Sequence, residues 1–283
     1  MAHGYLTDIK VQTLSQLSGG HSWQISLLHG RPGHTLIWTT RGQGKVHLDG
    51  QRRGLGPHNA IWIPAGHLFA LEPGYQCTGL AVSIPEGMDL RLPQMARQLR
   101  IREASVQTEL TSIIEAAQRE EQAGRPLQQD ALEAHAALIS VWLRRQIILE
   151  EHLPPKQNAG ARLSAAFCDL VAERYASGAT MAEFADLLGV TPTHLSRAVK
   201  ATTGKTAADV LSERILHAAR TLLRETDETA QDIARHLGFG SAAYFTRYMQ
   251  QHTGSPPANC GVDQTTPCSS MPFYDKSDVA NLL

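Results

Sequence analysis

The chain is short of paired cysteines, of long apolar runs and of charge of one sign. Its four cysteines (Cys77, Cys168, Cys260 and Cys268) are scattered and form no Cys-x-x-Cys pair. That argues against a disulfide scaffold or zinc knuckle and for a reducing compartment. No apolar run approaches the length of a membrane span, and the opening MAHGYLTDIK lacks the basic-then-apolar order of a secretory signal. The expected location is therefore the cytoplasm, with no membrane partner. Lys and Arg number 26 against 27 Asp and Glu, a formal net charge of −1. Such balance argues against a highly basic protein that coats nucleic acid. It permits a local DNA-reading surface, because affinity depends on the basic residues that face phosphate.

What is present is enough for one large domain or two ordinary ones: 283 residues, 42% of them apolar. Short apolar or alternating segments around Leu36–Trp38, Val46–Leu48 and Ile61–Ile63 are separated by Gly, Asp-Gly and Gly-Pro. Several short strands with frequent turns predict a sandwich or barrel, with a further strand at 77–84. From about Leu90 the pattern changes. Residues 105–123 and 127–150 place apolar side chains at helical spacing on either side of AGRP, which predicts a helical hairpin. PPKQNAG at 154–160 reads as a linker, 161–258 as helical, and 259–283 as a flexible tail.

The functional reading comes from a repeat. LSRAVKATTG at 195–204 and FTRYMQQHTG at 245–254 align at an offset of fifty, with Arg197 on Arg247, Thr203 on Thr253 and Gly204 on Gly254. Upstream, Ala185 aligns with Ala234 and Gly189 with Gly238 at an offset of forty-nine, so the second turn is one residue longer. Each copy predicts a short helix, a left-handed glycine, an apolar plug (Val190 or Phe239) and an N-cap (Thr191 or Ser241) opening a second helix. Pro192 suits the first helical position. A small Ala in the first helix lets the two helices cross closely. Together these features make a helix-turn-helix, whose second helix fits a major groove. The outer face of that helix shows Thr193, Ser196, Arg197 and Lys200 in the first copy. The segment 206–226 between the copies has one apolar face. A helix of about 20 residues spans about 30 Å, close to the ~34 Å between successive major grooves. Residues 161–258 hold ten Lys or Arg and ten Asp or Glu. DNA binding must therefore rest on a local arrangement of Arg197, Lys200, Lys205, Arg235 and Arg247. The bland alternative for Lys200, Lys205 and Arg235 is a solvated face.

These residues resemble the AraC/XylS-type transcriptional regulators over roughly 162–258. The second copy carries most of the likeness, in GFGSAAYFTRYMQQHTG followed by Pro257. The resemblance implies paired recognition helices that enter the major groove of double-stranded operator DNA. It assigns contacts to Thr193, Ser196 and Arg197, with Lys200 on the same face, and to Ala242, Ala243, Thr246 and Arg247. Arg pairs well with guanine O6 and N7, whereas Ala meets only a thymine methyl. The sequence departs from the family where a closing helix with an aromatic and then a basic residue is usual. Cys260 and Gly261 stand there, which predicts loss of that helix.

IPAGHLFAL at 63–71 resembles the second cupin motif, and the likeness spans about 20–85. It implies a cupin-like sensor barrel with a small-molecule effector. Metal-binding cupins use His-x-His, a Glu and a later His. Here His-x-His is missing and His47 with His67 is the best pair, so no metal and no cofactor are expected. Trp38, His47, Trp62 and His67 are candidate ligand-facing residues; the two tryptophans, with Phe69, read first as core and only second as the lining of an apolar pocket in a barrel mouth. The expected fold is α+β: a cupin-like β-barrel with a helical hairpin over 1–153, the linker, then an all-α domain of two helix-turn-helix units joined by a long helix. The expected protein is a sequence-specific DNA-binding regulator under effector control, not an enzyme. A homodimer and contact with RNA polymerase accompany that expectation. The alternatives are a cupin-type metalloenzyme with a helical accessory domain and a helical adaptor that binds protein.

Overall fold

The computed structural model describes residues 8–149 and 158–260. It divides into two compact units. One comprises the chain up to Gly20 with Gly30–Gln157, and the other His21–His29 with Asn158 onward.

The first unit contains β1 (Lys10–Thr13), α1 (Leu14–Leu17), β2 (His34–Arg41), β3 (Gly44–Leu48), β4 (Gln51–Leu55), β5 (Asn59–Ile63), β6 (Phe69–Pro73), β7 (Thr78–Ile84) and β8 (Arg97–Arg100). The helical hairpin α3 (Ala104–Ala123) and α4 (Gln128–Leu149) completes it, while α2 (Trp23–Ser26) belongs to the other unit. The strands form antiparallel sheets of order β1-β7-β2-β5-β8 and β4-β3-β6. Asp49 and Gly50 both have positive φ and join Leu48 to its partner Gln51, the two-residue turn that suits strand twist.

Alternation along β2 and β5 gives each strand two faces, and both are buried. Leu36, Trp38, Ala60 and Trp62 pack against Leu110, Ile114, Ile139 and Leu143 of the helical hairpin. Thr35, Ile37, Ile61 and Ile63 are buried on the opposite face, as in a two-sheet sandwich. Gly124, at φ 57, closes α3 in the left-handed conformation.

The second unit runs α5 (Ala159–Arg174), α6 (Met181–Leu187), α7 (Pro192–Thr203), α8 (Ala207–Glu225), α9 (Ala230–His236), α10 (Ala242–Thr253) and α11 (Pro257–Cys260). Asn158 caps α5 by accepting from Ala161 N at 2.8 Å, so this end of the expected linker is ordered into the helix. Residues 154–157 of that linker and 261–283 of the expected tail lie outside the described residues. The closing helix expected to be lost is present as α11, which packs on α8 and α10. Pro257 at its first position is preorganised for a helical turn, and that turn forms without the aromatic.

Residues 21–29 pack as part of this helical unit. Trp23 meets His217 of α8 edge-on at 5.4 Å, and the Arg220 guanidinium lies 4.5 Å above the Trp23 ring. His29 stacks on His217 at 4.4 Å, and His217 Nε2 is hydrogen-bonded to the Gln24 carbonyl at 3.2 Å. Leu27 packs on the cluster of Leu216, Ile233, Phe245 and Met249.

Candidate nucleic-acid interface

Both helix-turn-helix copies are built by the same local chemistry. Thr180 opens α6 with a reciprocal capping box to Glu183, and Thr229 opens α9 by accepting from Asp232 N. Each short helix ends on a left-handed glycine, Gly189 at φ 67 and Gly238 at φ 78. Val190 N then donates to Ala185 O at 3.0 Å, and Phe239 N to Ala234 O at 2.9 Å. These bonds fix the turn, as the glycine-terminated helix end requires. Thr191 and Ser241 cap α7 and α10 by accepting from His194 N and Tyr244 N, each at 3.2 Å. The far ends match too. Gly204 and Gly254 are left-handed, and the Thr203 and Thr253 hydroxyls donate to Val199 O at 2.8 Å and Met249 O at 2.7 Å.

Packing then decides which faces stay outside. Phe184, Leu195 and Val199 are fully buried in the first copy, with Phe184 meeting Phe167 at 5.8 Å. Ile233, Phe245 and Met249 take those roles in the second. The Tyr248 hydroxyl donates to Ser212 O at 2.6 Å and ties α10 to α8. Burial pushes that hydroxyl's pKa well up and keeps it protonated. Burial also holds the His252 imidazole below its ordinary value, against the opposing pull of Asp209.

The outward faces hold the residues read from the sequence. Thr193, Arg197 and Lys200 are exposed and follow one helical face, with Ser196 half-buried beside them. On α10, Ala243 and Arg247 are exposed, while Ala242 and Thr246 are half-buried. Thr246 donates its hydroxyl to Ala242 O at 2.9 Å. Among the described residues Arg197, Lys200 and Arg247 have no ion-pair partner. Lys205 and Arg235 differ. Lys205 Nζ lies 2.7 Å from Glu213, and Arg235 Nη1 lies 3.1 Å from Asp232. Their charge is locally neutralised, so they do not extend the basic face. The sequence reading passed over Gln250. It is exposed at the place in α10 that Lys200 holds in α7, and the repeat offset of fifty was the signal that locates it.

In the sheet unit, Trp38 and Trp62 are fully buried under the helical hairpin. Their indole nitrogens donate to Thr111 Oγ1 at 3.0 Å and Pro93 O at 2.7 Å. His47 is buried, 3.3 Å from Glu72 Oε1. His67 is half-buried, with Nδ1 3.3 Å from Ala65 O. Among the described residues no group of three or more His, Cys, Asp or Glu is placed to hold a metal ion. No helix among them is long and apolar enough to cross a membrane.

Comparison with known proteins agrees with both halves. Residues 17–154 match the model of an AraC-like ligand binding domain, and 184–260 match a helix-turn-helix domain. No curated protein matches the sequence. Among solved structures, ToxT from Vibrio cholerae O395 is similar at 11% identity and TM-score 0.41, over 89% of this chain and 95% of its own. The C-terminal domain of the two-component response regulator yesN from Fusobacterium nucleatum is similar at 22% identity and TM-score 0.33. That likeness covers 34% of this chain and 94% of its own.

Proposed function

This chain belongs to the AraC family of transcription regulators, and on that footing we propose that it grips DNA through Thr193, Ser196, Arg197 and Lys200 of α7 and Ala242, Ala243, Thr246 and Arg247 of α10. It is a DNA-binding regulator with an effector-binding domain. The observation that supports this assignment of contacts is the duplication itself. Two turns with matching caps present an exposed arginine, free of any ion pair among the described residues, at the same repeat position. The 19 residues of α8 between them span about 28 Å, near the ~34 Å between successive major grooves on one DNA face.

Phosphate contacts make such binding steeply salt-dependent. Anisotropy titrations of the whole protein on selected duplex are expected to lose about a thousandfold in affinity between roughly 50 and 200 mM salt, the loss that six or more phosphate contacts produce. Salt-insensitive binding, or none, would return the helical unit to the protein-adaptor reading.

The effector belongs to the sheet unit. Of Trp38, His47, Trp62 and His67, only His67 is partly open to solvent, so a ligand reaches it without displacing core packing. The assembly we assign is a homodimer formed along α4. Its outer face exposes Ala134, Leu138, Val141, Arg145 and Ile148, the alternating four-and-three spacing of a helix-pairing stripe. Asp130 and Glu133 stand at one end and Arg144 at the other, beside Arg145, which is already paired with Glu109 at 3.6 Å, so two copies pair antiparallel with opposite charges facing. Leu138→Glu is expected to convert the dimer to monomer in sedimentation velocity at micromolar concentration. An unchanged sedimentation coefficient would remove α4 as the interface. RNA polymerase is the partner and the cytoplasm the location that this reading assigns, with no catalytic step.

A further inference from the structure

We infer that the two recognition helices read half-contacts of different composition: α7 one containing guanine, α10 one with A·T pairs, and Gln250 is the side chain that selects adenine. The inference rests on the proposed role of α10 as a recognition helix and goes beyond it to what that helix prefers.

The shared caps make the two helices comparable position by position. Thr193, Arg197 and Lys200 of α7 correspond to Ala243, Arg247 and Gln250 of α10, and all six are exposed. The arginines are common to both, so they cannot distinguish the heads. The difference lies at the other two positions. Lys200 adds a second cation suited, like Arg, to guanine O6 and N7. Gln250 replaces that cation with an amide, which donates and accepts in the pattern that matches adenine N6 and N7. Ala243 replaces a hydroxyl with a methyl, which suits the thymine methyl.

Two further observations single out Gln250. Its side-chain amide makes no hydrogen bond among the described residues. The neighbouring Thr246 hydroxyl, by contrast, donates into its own helix at 2.9 Å. Gln251, also exposed, aligns with Ala201. Of the α10 positions that align with Thr193, Arg197 and Lys200, the one with a free polar group besides Arg247 is therefore Gln250. Seven residues of helix separate it from Ala243 along about 10 Å, which matches roughly three base-pair steps. The two A·T pairs are thus expected about that far apart. An operator of this kind has a direction, and the protein sits on it in one orientation.

Selection of duplexes from a random library tests this with the full-length protein, Gln250→Ala and Gln250→Arg. The wild type is expected to enrich two blocks about one helical turn apart, with an adenine in one block whose replacement costs about tenfold in affinity. Gln250→Ala should flatten that position alone, with an unchanged melting temperature. Gln250→Arg should exchange the adenine for guanine. If Gln250→Ala keeps the same preference, or weakens all sequences alike as a lost phosphate contact does, this inference fails while the DNA-contact assignment stands. A wild type without any sequence preference would overturn both.

Discussion

Gly238→Ala is expected to destabilise the helical unit by about 2–5 kcal/mol, whereas Gly189→Ala at the matching turn should cost only about 1–2 kcal/mol. Both glycines are left-handed, at φ 78 and φ 67, so each alanine carries the same conformational penalty. Their surroundings differ. A Cβ on Gly189 meets nothing within 4 Å. A Cβ on Gly238 runs into the backbone nitrogen of Gly178 and lies 2.8 Å from Ala176 O. Gly178, itself at φ 71, would likewise place a Cβ 2.7 Å from Gly238 O. Neither obstacle is a flexible side-chain end, so one loop has to move off the other. Thermal unfolding of the two variants measures the contrast. Equal losses of melting temperature would mean that the contact between the 176–178 turn and Gly238 contributes nothing to stability.

Removal of both exposed arginines should have the larger effect on function. Arg197→Ala and Arg247→Ala are each expected to weaken specific binding by about 1–3 kcal/mol if they read bases. They sit on separate helices, so their effects should add to about 2–6 kcal/mol in the double variant. Stability should stay within about 0.5 kcal/mol, as for surface changes elsewhere. Binding isotherms at fixed salt, run beside thermal melts, separate the two readouts. A large fall in melting temperature with unaltered affinity would place these arginines in the architecture instead of the interface. A uniform loss over all sequences, with a shallower salt dependence, would assign them to phosphate.

The turns were legible in the sequence because their chemistry is local. Gly189, Thr191 with Pro192, Gly238 and Ser241 each act within a few residues of themselves. The helical hairpin was legible from spacing on either side of AGRP, where Gly124 closes α3 in the left-handed conformation. Other features depend on distant partners. Alternation along β2 marked two faces of the strand, but nothing local says that the Trp38 face meets the hairpin while the Ile37 face lies opposite. The Lys205–Glu213 pair reaches from the turn after α7 into α8, and composition counts it only as balanced charge, whereas Arg235–Asp232 is an i,i+3 pair that spacing already offered. Loss of the closing helix was the wrong expectation. It weighed the missing aromatic at Cys260 above Pro257, whose fixed φ suffices to start a turn that α8 and α10 support. Residues 21–29 carry no local sign that their partner is α8.

That last contact sets a timetable for synthesis. Gln24 and His217 are 193 residues apart in the chain. At about 5–20 residues per second, the ribosome delivers α8 roughly 10–40 s after Trp23 emerges. Until then the Trp23 indole and the Leu27 side chain have no surface to cover them. Nascent chains of this protein are therefore expected to lean on holding chaperones early, and the helical unit to mature last.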